Sequence, residues 1–189
     1  MPQEDFCQAL GVPSAQKYQS HGGPGAVTIL KLLGSSDNPL EDQAAFLKSQ
    51  IIFWLIGATD GHAKNFSIFL RPGGRFGMTP FYDVLSAQPA FDARQIPNNK
   101  YQLAMSVGNS RKYQILNLSG RHFVETAKEA GLGPTLIDKV LRDVIQMAAK
   151  APEQALFMIP DRLATAPHTS IMNAMEVRLR SLELGLAEI

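Results

Sequence analysis

Asp60, Asn65 and Asp83 are the residues of this sequence whose types and spacing suit a reaction. All three carry side-chain oxygen. Asp60 and Asn65 stand in Asp-x4-Asn spacing, and Asp83 follows the turn Pro72-Gly73-Gly74 and the run Thr79-Pro80-Phe81-Tyr82. Magnesium is a hard cation that takes oxygen ligands, usually one or two protein carboxylates, with phosphates and water completing its shell. Phosphoryl transfer further needs a carboxylate that orients an acceptor hydroxyl and takes its proton. Three oxygen-bearing side chains gathered at one edge meet both needs. Read one at a time they are plainer: Asp60 begins a turn, Asn65 bonds the local backbone and Asp83 caps the next segment.

Two rigid elements must bring the trio together. Asn38-Pro39 opens a helix expected over Leu40 to about Gly57, amphipathic through Leu40, Ala44, Leu47 and Ile51. Its second half, Ile51 to Ile56, is apolar all round, which predicts a helix buried on every side that delivers Asp60 at its polar end. Phe66 to Leu70 and Arg75 to Thr79 alternate around Pro72-Gly73-Gly74 and predict a hairpin ahead of Asp83. Upstream, Pro2 to Leu10 reads as a short helix. Ala26 to Leu33 reads as another, opened by Pro24 and stopped by Gly34. Ala87 to Lys100 reads as a loop, and Tyr101 to Met105 and Lys112 to Leu116 as short extended segments. The last third is helical: Arg121 to Ala130, Pro134 to Lys150, a weaker helix over Pro152 to Leu163 interrupted by Pro160, and a final helix capped by Thr169 or Ser170. The fold class is mainly α, with a small hairpin near the middle.

Other chemistries find little support. One cysteine, Cys7, excludes an internal disulfide framework and a Cys-based zinc site. His21, His62, His122 and His168 form no HxxxH pair, and Ser67 and Ser86 sit in no Gly-x-Ser-x-Gly elbow. The 18 basic and 17 acidic residues give a net charge of +1, which excludes a strongly basic nucleic-acid coat. Arg111-Lys112 and the group Arg121, His122, Lys128 are the densest basic spots, and read as solvated surface. The longest wholly apolar run, Ile51 to Ala58, falls far short of the ~20 residues that cross a bilayer. The acidic start, Met1-Pro2-Gln3-Glu4-Asp5, is unlike a signal peptide, so the expected compartment is the cytoplasm. Gly22-Gly23-Pro24-Gly25 lacks the Gly-x4-Gly-Lys-Ser/Thr pattern, and Pro24 removes an N–H that a phosphate cradle would use; the turn is expected to shape a loop near the acceptor site.

Asp-x4-Asn with a second Asp beyond a hairpin is also the layout of the catalytic segment of protein kinases. Four runs make the likeness narrower: Gln3-Glu4-Asp5-Phe6-Cys7-Gln8; Lys17-Tyr18-Gln19-Ser20 with Gly22 to Gly25; Trp54 through Asp60-Gly61-His62-Ala63-Lys64-Asn65 to Ser67; and Thr79-Pro80-Phe81-Tyr82-Asp83. Together they resemble the HipA family, bacterial serine/threonine kinases that act as toxins in toxin–antitoxin pairs. The resemblance implies a kinase-like fold in which residues 1–189 form the helical C-terminal lobe, with ATP and magnesium as cofactors. It implies Asp60 as catalytic base and Asn65 and Asp83 as magnesium ligands. His62, Ala63, Lys64 and Tyr82 would line the nucleotide, with Gln3 near it. Implied partners are a helix-turn-helix antitoxin like HipB, operator DNA held through that antitoxin, and a protein acceptor of the translation machinery; Lys128 falls where a DNA phosphate could be reached. The family's phosphate-gripping loop, phosphate-pairing lysine and adenine hinge are not found in the sequence. The expectation is therefore a catalytic lobe without its N-terminal lobe, weakly active alone. The alternative is a non-catalytic module that binds an antitoxin–operator complex.

Overall fold

A computed structural model describes residues 1–160 and 165–189 of the chain. Its central element is helix α3, Pro39–Ile56, preceded by β1 (Gln3–Asp5), α1 (Phe6–Ala9) and α2 (Ala26–Leu33). Pro39 occupies the first helical turn, where its missing N–H costs nothing, and Glu41 and Asp42 place negative charge at the positive end of the helix dipole. Gly57 ends the helix in the left-handed conformation (φ 72°), and the N–H of Ala58 closes the turn on Phe53 O at 2.7 Å. Phe46, Leu47, Ile51, Phe53, Trp54 and Leu55 are buried. Ile52 and Ile56 are only half-buried, so the apolar half of α3 is not enclosed all round. They line an apolar groove of about 340 Å³ with Val144, Met147 and Met172, and none of the trio residues borders it.

The hairpin forms as expected, from β2 (Ser67–Arg71) and β3 (Arg75–Met78), with Ile68 opposite Met78 and Arg71 opposite Arg75. Asp37, ahead of α3, accepts hydrogen bonds from Arg71 and Arg75, and those guanidiniums, Arg75 first, hold its carboxyl below the usual range. Asp42 accepts the N–H of Met78 at 3.1 Å. The hairpin is thereby pinned to the start of the helix whose far end carries Asp60.

Pro2 to Leu10 is not one helix. Gln3–Asp5 adds a third strand antiparallel to β2, with Gln3 opposite Phe69 and Asp5 opposite Ser67. Asp5 and Gln8 then cap α1 reciprocally. The pairing spans more than sixty residues, so no local pattern announces it. Helix α2 takes its expected bounds, but its N-cap is Gly25 rather than Pro24.

The stretch read as a loop holds α4 (Gln88–Asp92), with Pro89 in its first turn. A second hairpin pairs β4 (Gln102–Val107) with β5 (Lys112–Gln114), and the chain turns away at Ile115. Three helices complete the lobe: α5 (Gly120–Glu129), α6 (Pro134–Met158) and α7 (Ala166–Glu183). α6 does not stop near Lys150. It runs through Pro152, so the separate helix expected over Pro152 to Leu163 belongs to α6 up to Met158, and the end of that span lies outside the described residues. Nor do Thr169 and Ser170 cap α7, which begins three residues before Thr169; Thr169 bonds back to Thr165 O and Ser170 bonds Asp92. α3 packs against α2, α6 and α7, so it is the core element of a mainly α lobe. Among the described residues no helix is long and apolar enough to cross a membrane.

Candidate phosphoryl-transfer site

After Gly57 the chain leaves α3 through Ala58 and Thr59, and Asp60 stands exposed. Gly61 is required next, because a Cβ there would lie 2.2 Å from the Phe53 ring. His62 turns the chain back, its N–H on Asp60 O at 2.9 Å, into a single 3₁₀ turn, Ala63–Asn65. Phe66 then packs between Phe46 and Phe53, with ring centroids 5.0 and 5.6 Å away. The loop therefore rests on an aromatic floor, with Asp60 exposed and the His62 and Asn65 side chains buried.

Asn65 is 3% exposed, and its Nδ2 donates to Asp83 Oδ2 at 2.6 Å. Two of the three expected residues thus meet directly across the hairpin. Asp83 has a left-handed backbone (φ 55°), uncommon for a residue with a Cβ and typical of sites where local strain is tolerated for a purpose. Asn65 Oδ1 is buried and has no hydrogen-bond partner among the described residues. An orphaned amide oxygen beside a carboxylate is a donor set that fits a hard cation. Among the described residues there is no cluster of three His, Cys, Asp or Glu side chains that could hold a metal ion.

Asp60 stands beside His62 and makes no hydrogen bond to either Asn65 or Asp83 among the described residues. The His62 ring is buried, with Nε2 3.7 Å from Asp60 Oδ1. Burial pushes its pKa down, Asp60 opposes that shift, Lys17 adds to it, and Asp83 opposes it more weakly.

The other residues expected to line a nucleotide lie on this loop, beyond the hairpin and on β1. Ala63 is buried. Lys64 Nζ bonds Asp5 Oδ2 at 3.1 Å, which ties the loop to β1. The Tyr82 hydroxyl donates to Lys64 O at 2.9 Å and shares a 2.6 Å hydrogen bond with Ser67 Oγ. Gln3 lies exposed on β1. Lys128 is elsewhere, on α5, with Nζ donating to Glu188 O at 2.6 Å.

Tyr18 was not singled out by any pattern. Its hydroxyl donates to Asp60 Oδ1 at 2.5 Å, and its ring meets His62 edge-on at 5.0 Å. That bond to Asp60, with burial and the carboxylate charge, pushes the Tyr18 phenol up to about 12. The two residues are 42 apart in sequence, and only the Lys17-Tyr18-Gln19-Ser20 likeness pointed to the segment.

A helical lobe whose Asp-x4-Asn turn meets an Asp beyond a hairpin has the layout of the catalytic segment of protein kinases. The chain matches the model of the HipA-like C-terminal domain over residues 1–152, and it belongs to that family. It is 34% identical over 155 residues to Y4mE of Sinorhizobium fredii, a protein whose name marks it as a kinase by inference, covering 82% of this chain and 35% of Y4mE. It is 25% identical over 167 residues to the serine/threonine-protein kinase toxin HipA of Shewanella oneidensis, covering 82% of this chain and 36% of that protein. The chain thus spans about a third of the length of the curated relatives it matches. A solved Shewanella oneidensis complex of HipA, HipB and operator DNA superposes with a TM-score of 0.78 at 20% identity, covering 98% of this chain and 45% of that one. The Helicobacter pylori proinflammatory kinase CtkA superposes at 0.52 with 10% identity, covering 98% and 70%. At these identities the two likenesses speak for the fold.

Proposed function

We propose that this chain is the catalytic lobe of a HipA-like serine/threonine kinase that moves the ATP γ-phosphate to a protein hydroxyl. The observation that carries the reading is the Asn65–Asp83 pair with its partnerless buried oxygen. Asn65 Oδ1 and Asp83 hold magnesium, which when bound neutralises phosphate charge. Asp60, exposed at the rim, orients the acceptor hydroxyl and accepts its proton. His62, Ala63, Lys64 and Tyr82 line the nucleotide, with Gln3 at the edge of the same sheet. The glycine-rich turn Gly22 to Gly25 folds onto its own backbone and offers no phosphate cradle, so this chain alone binds nucleotide weakly and transfers slowly.

By likeness to the HipA–HipB–operator complex, the whole protein works beside a helix-turn-helix antitoxin on operator DNA, and by family analogy its acceptor belongs to the translation machinery. Calorimetric titration with ATP tests the core of this reading. Binding is expected to require magnesium and to lose that requirement, with at least a tenfold drop in affinity, in Asp83→Asn. Equal binding by the variant, or none by the native chain at millimolar ATP, would instead favour the non-catalytic interaction module.

A further inference from the structure

The geometry points to Tyr18 as a positioning residue for Asp60, with the Gly22–Gly25 turn as the clamp that holds Tyr18 in place. The inference rests on the reading of Asp60 as the base. A carboxylate that must receive a proton from one direction has to be fixed in rotation, and a bond to one oxygen does this while leaving the other free. Tyr18 supplies that bond to Oδ1 at 2.5 Å, and the Asp60 side chain remains 59% exposed. A phenol suits the task better than a lysine or arginine, because it orients the carboxylate without adding an opposing charge.

The chain around Tyr18 is built to hold that hydroxyl still. Lys17 O accepts the N–H of Ala63 at 3.3 Å, so the backbone beside Tyr18 is tied directly to the catalytic turn. Tyr18 O accepts two N–H groups, from His21 and Gly23, both at 3.0 Å. A Cβ on Gly23 would lie 2.1 Å from Gln16 O and 2.9 Å from Tyr18 O, so only glycine lets the turn close this tightly. A Cβ on Gly25 would lie 2.5–2.6 Å from the Gln19 amide, whose Oε1 accepts the N–H of Ser106 at 2.8 Å and anchors the segment to β4. Gly23 thus serves the backbone contact that holds Tyr18 on Asp60, and Gly25 makes room for the Gln19 side chain that anchors the segment to β4.

Two measurements on the same proteins test this: the native chain, Tyr18→Phe, Gly23→Ala and Asp60→Asn. The first is the downfield hydroxyl proton of Tyr18 by NMR, with the Trp54 indole N–H as the reporter of an intact fold. The signal is expected in the native chain, absent in Tyr18→Phe, moved upfield in Asp60→Asn and broadened or lost in Gly23→Ala. The second is single-turnover phosphate transfer from magnesium-ATP, read as maximal rate against ATP affinity. Tyr18→Phe is expected to lower the rate about ten- to a hundredfold while affinity stays within about twofold, and Gly23→Ala to follow it. A native chain without the hydroxyl signal overturns the clamp whatever it transfers. An unchanged rate in Tyr18→Phe, or a loss confined to ATP affinity, overturns the positioning role. A native chain that shows the signal but neither binds magnesium-ATP nor transfers phosphate overturns the kinase reading, and the positioning role for Asp60 falls with it. Full activity in Gly23→Ala removes the glycine turn from the device and leaves Tyr18.

Discussion

At the scale of single residues, the site depends on groups held in one protonation state by burial. His62 is 5% exposed and its Nδ1 has no partner among the described residues, so the folded lobe disfavours the imidazolium. Its folded pKa lies below the ordinary value of about 6.5, chiefly through burial. An unfolded chain then binds the proton more tightly than the folded one. Stability from neutral His62 is present above about pH 6.5 and is lost as pH falls through that value toward the folded pKa. His122 on α5 shifts in the same direction, also mainly through burial. Thermal melts between pH 7.5 and 5 should show a falling midpoint, and His62→Gln should make the fall shallower; equal slopes in the two proteins would mean that His62 takes no part. The residues that sequence reading brought forward were those with a role in a known pattern, and Asn65 and Asp83 do meet as that pattern requires. Tyr18 escaped because a tyrosine among polar residues has many uses, and only the fold places its hydroxyl on Asp60.

At the scale of elements, what was legible depended on how local the determinant is. Pro39 and Gly57 set the ends of α3 to within a residue, and Pro72-Gly73-Gly74 set the hairpin, because those residues act on their own backbone. Strand β1 was not legible, since its partner lies more than sixty residues away, and neither was the passage of α6 through Pro152, which runs against the local preference of proline. Nor was Arg178. Nothing local in the sequence marks this arginine of α7 as a core residue, yet it is 8% exposed and bonds Trp54 O, Leu55 O, Gln88 Oε1 and the Tyr101 hydroxyl at 2.6–3.2 Å. It satisfies the last carbonyls of α3 and places a cation at the negative end of that helix, one turn before the Asp60 loop. Gly57 belongs to the same joint: a Cβ there would lie 2.0 Å from the Tyr101 oxygen. Arg178→Met should leave the buried Leu55 O without a partner, take one bond each from Trp54 O, Gln88 Oε1 and the Tyr101 hydroxyl, and cost on the order of 3 kcal/mol. Gly57→Ala should cost at least ~1 kcal/mol from the left-handed backbone alone, and more from the clash. Urea unfolding followed by Trp54 fluorescence measures both, and a loss under 1 kcal/mol for Arg178→Met would show that water replaces the guanidinium.

At the scale of the whole molecule, the question is how a nearly neutral lobe would meet operator DNA. With a net charge of +1 it has no general attraction to a polyanion, so any hold on DNA must be local or come through a partner. Lys128 is the candidate local contact, and the fold gives it another task. The start of α5 and the end of the chain touch backbone to backbone at Gly120 and Gly185, where a Cβ on either would lie under 3 Å from the other's main chain. Lys128, in the last turn of α5, closes the same contact by bonding Glu188 O. One ammonium cannot give its full strength to that carbonyl and to a phosphate, and an exposed lysine that does contact a phosphate adds about one unit to the salt dependence of binding. If DNA is reached through a helix-turn-helix partner, Lys128→Ala should change the slope of log affinity against log salt, for the assembled toxin–antitoxin–operator complex, by less than half a unit. The same variant should speed amide exchange over residues 184–188, where the tether is lost. A slope shallower by a full unit, with exchange unchanged, would make Lys128 a DNA contact in its own right and its bond to Glu188 incidental.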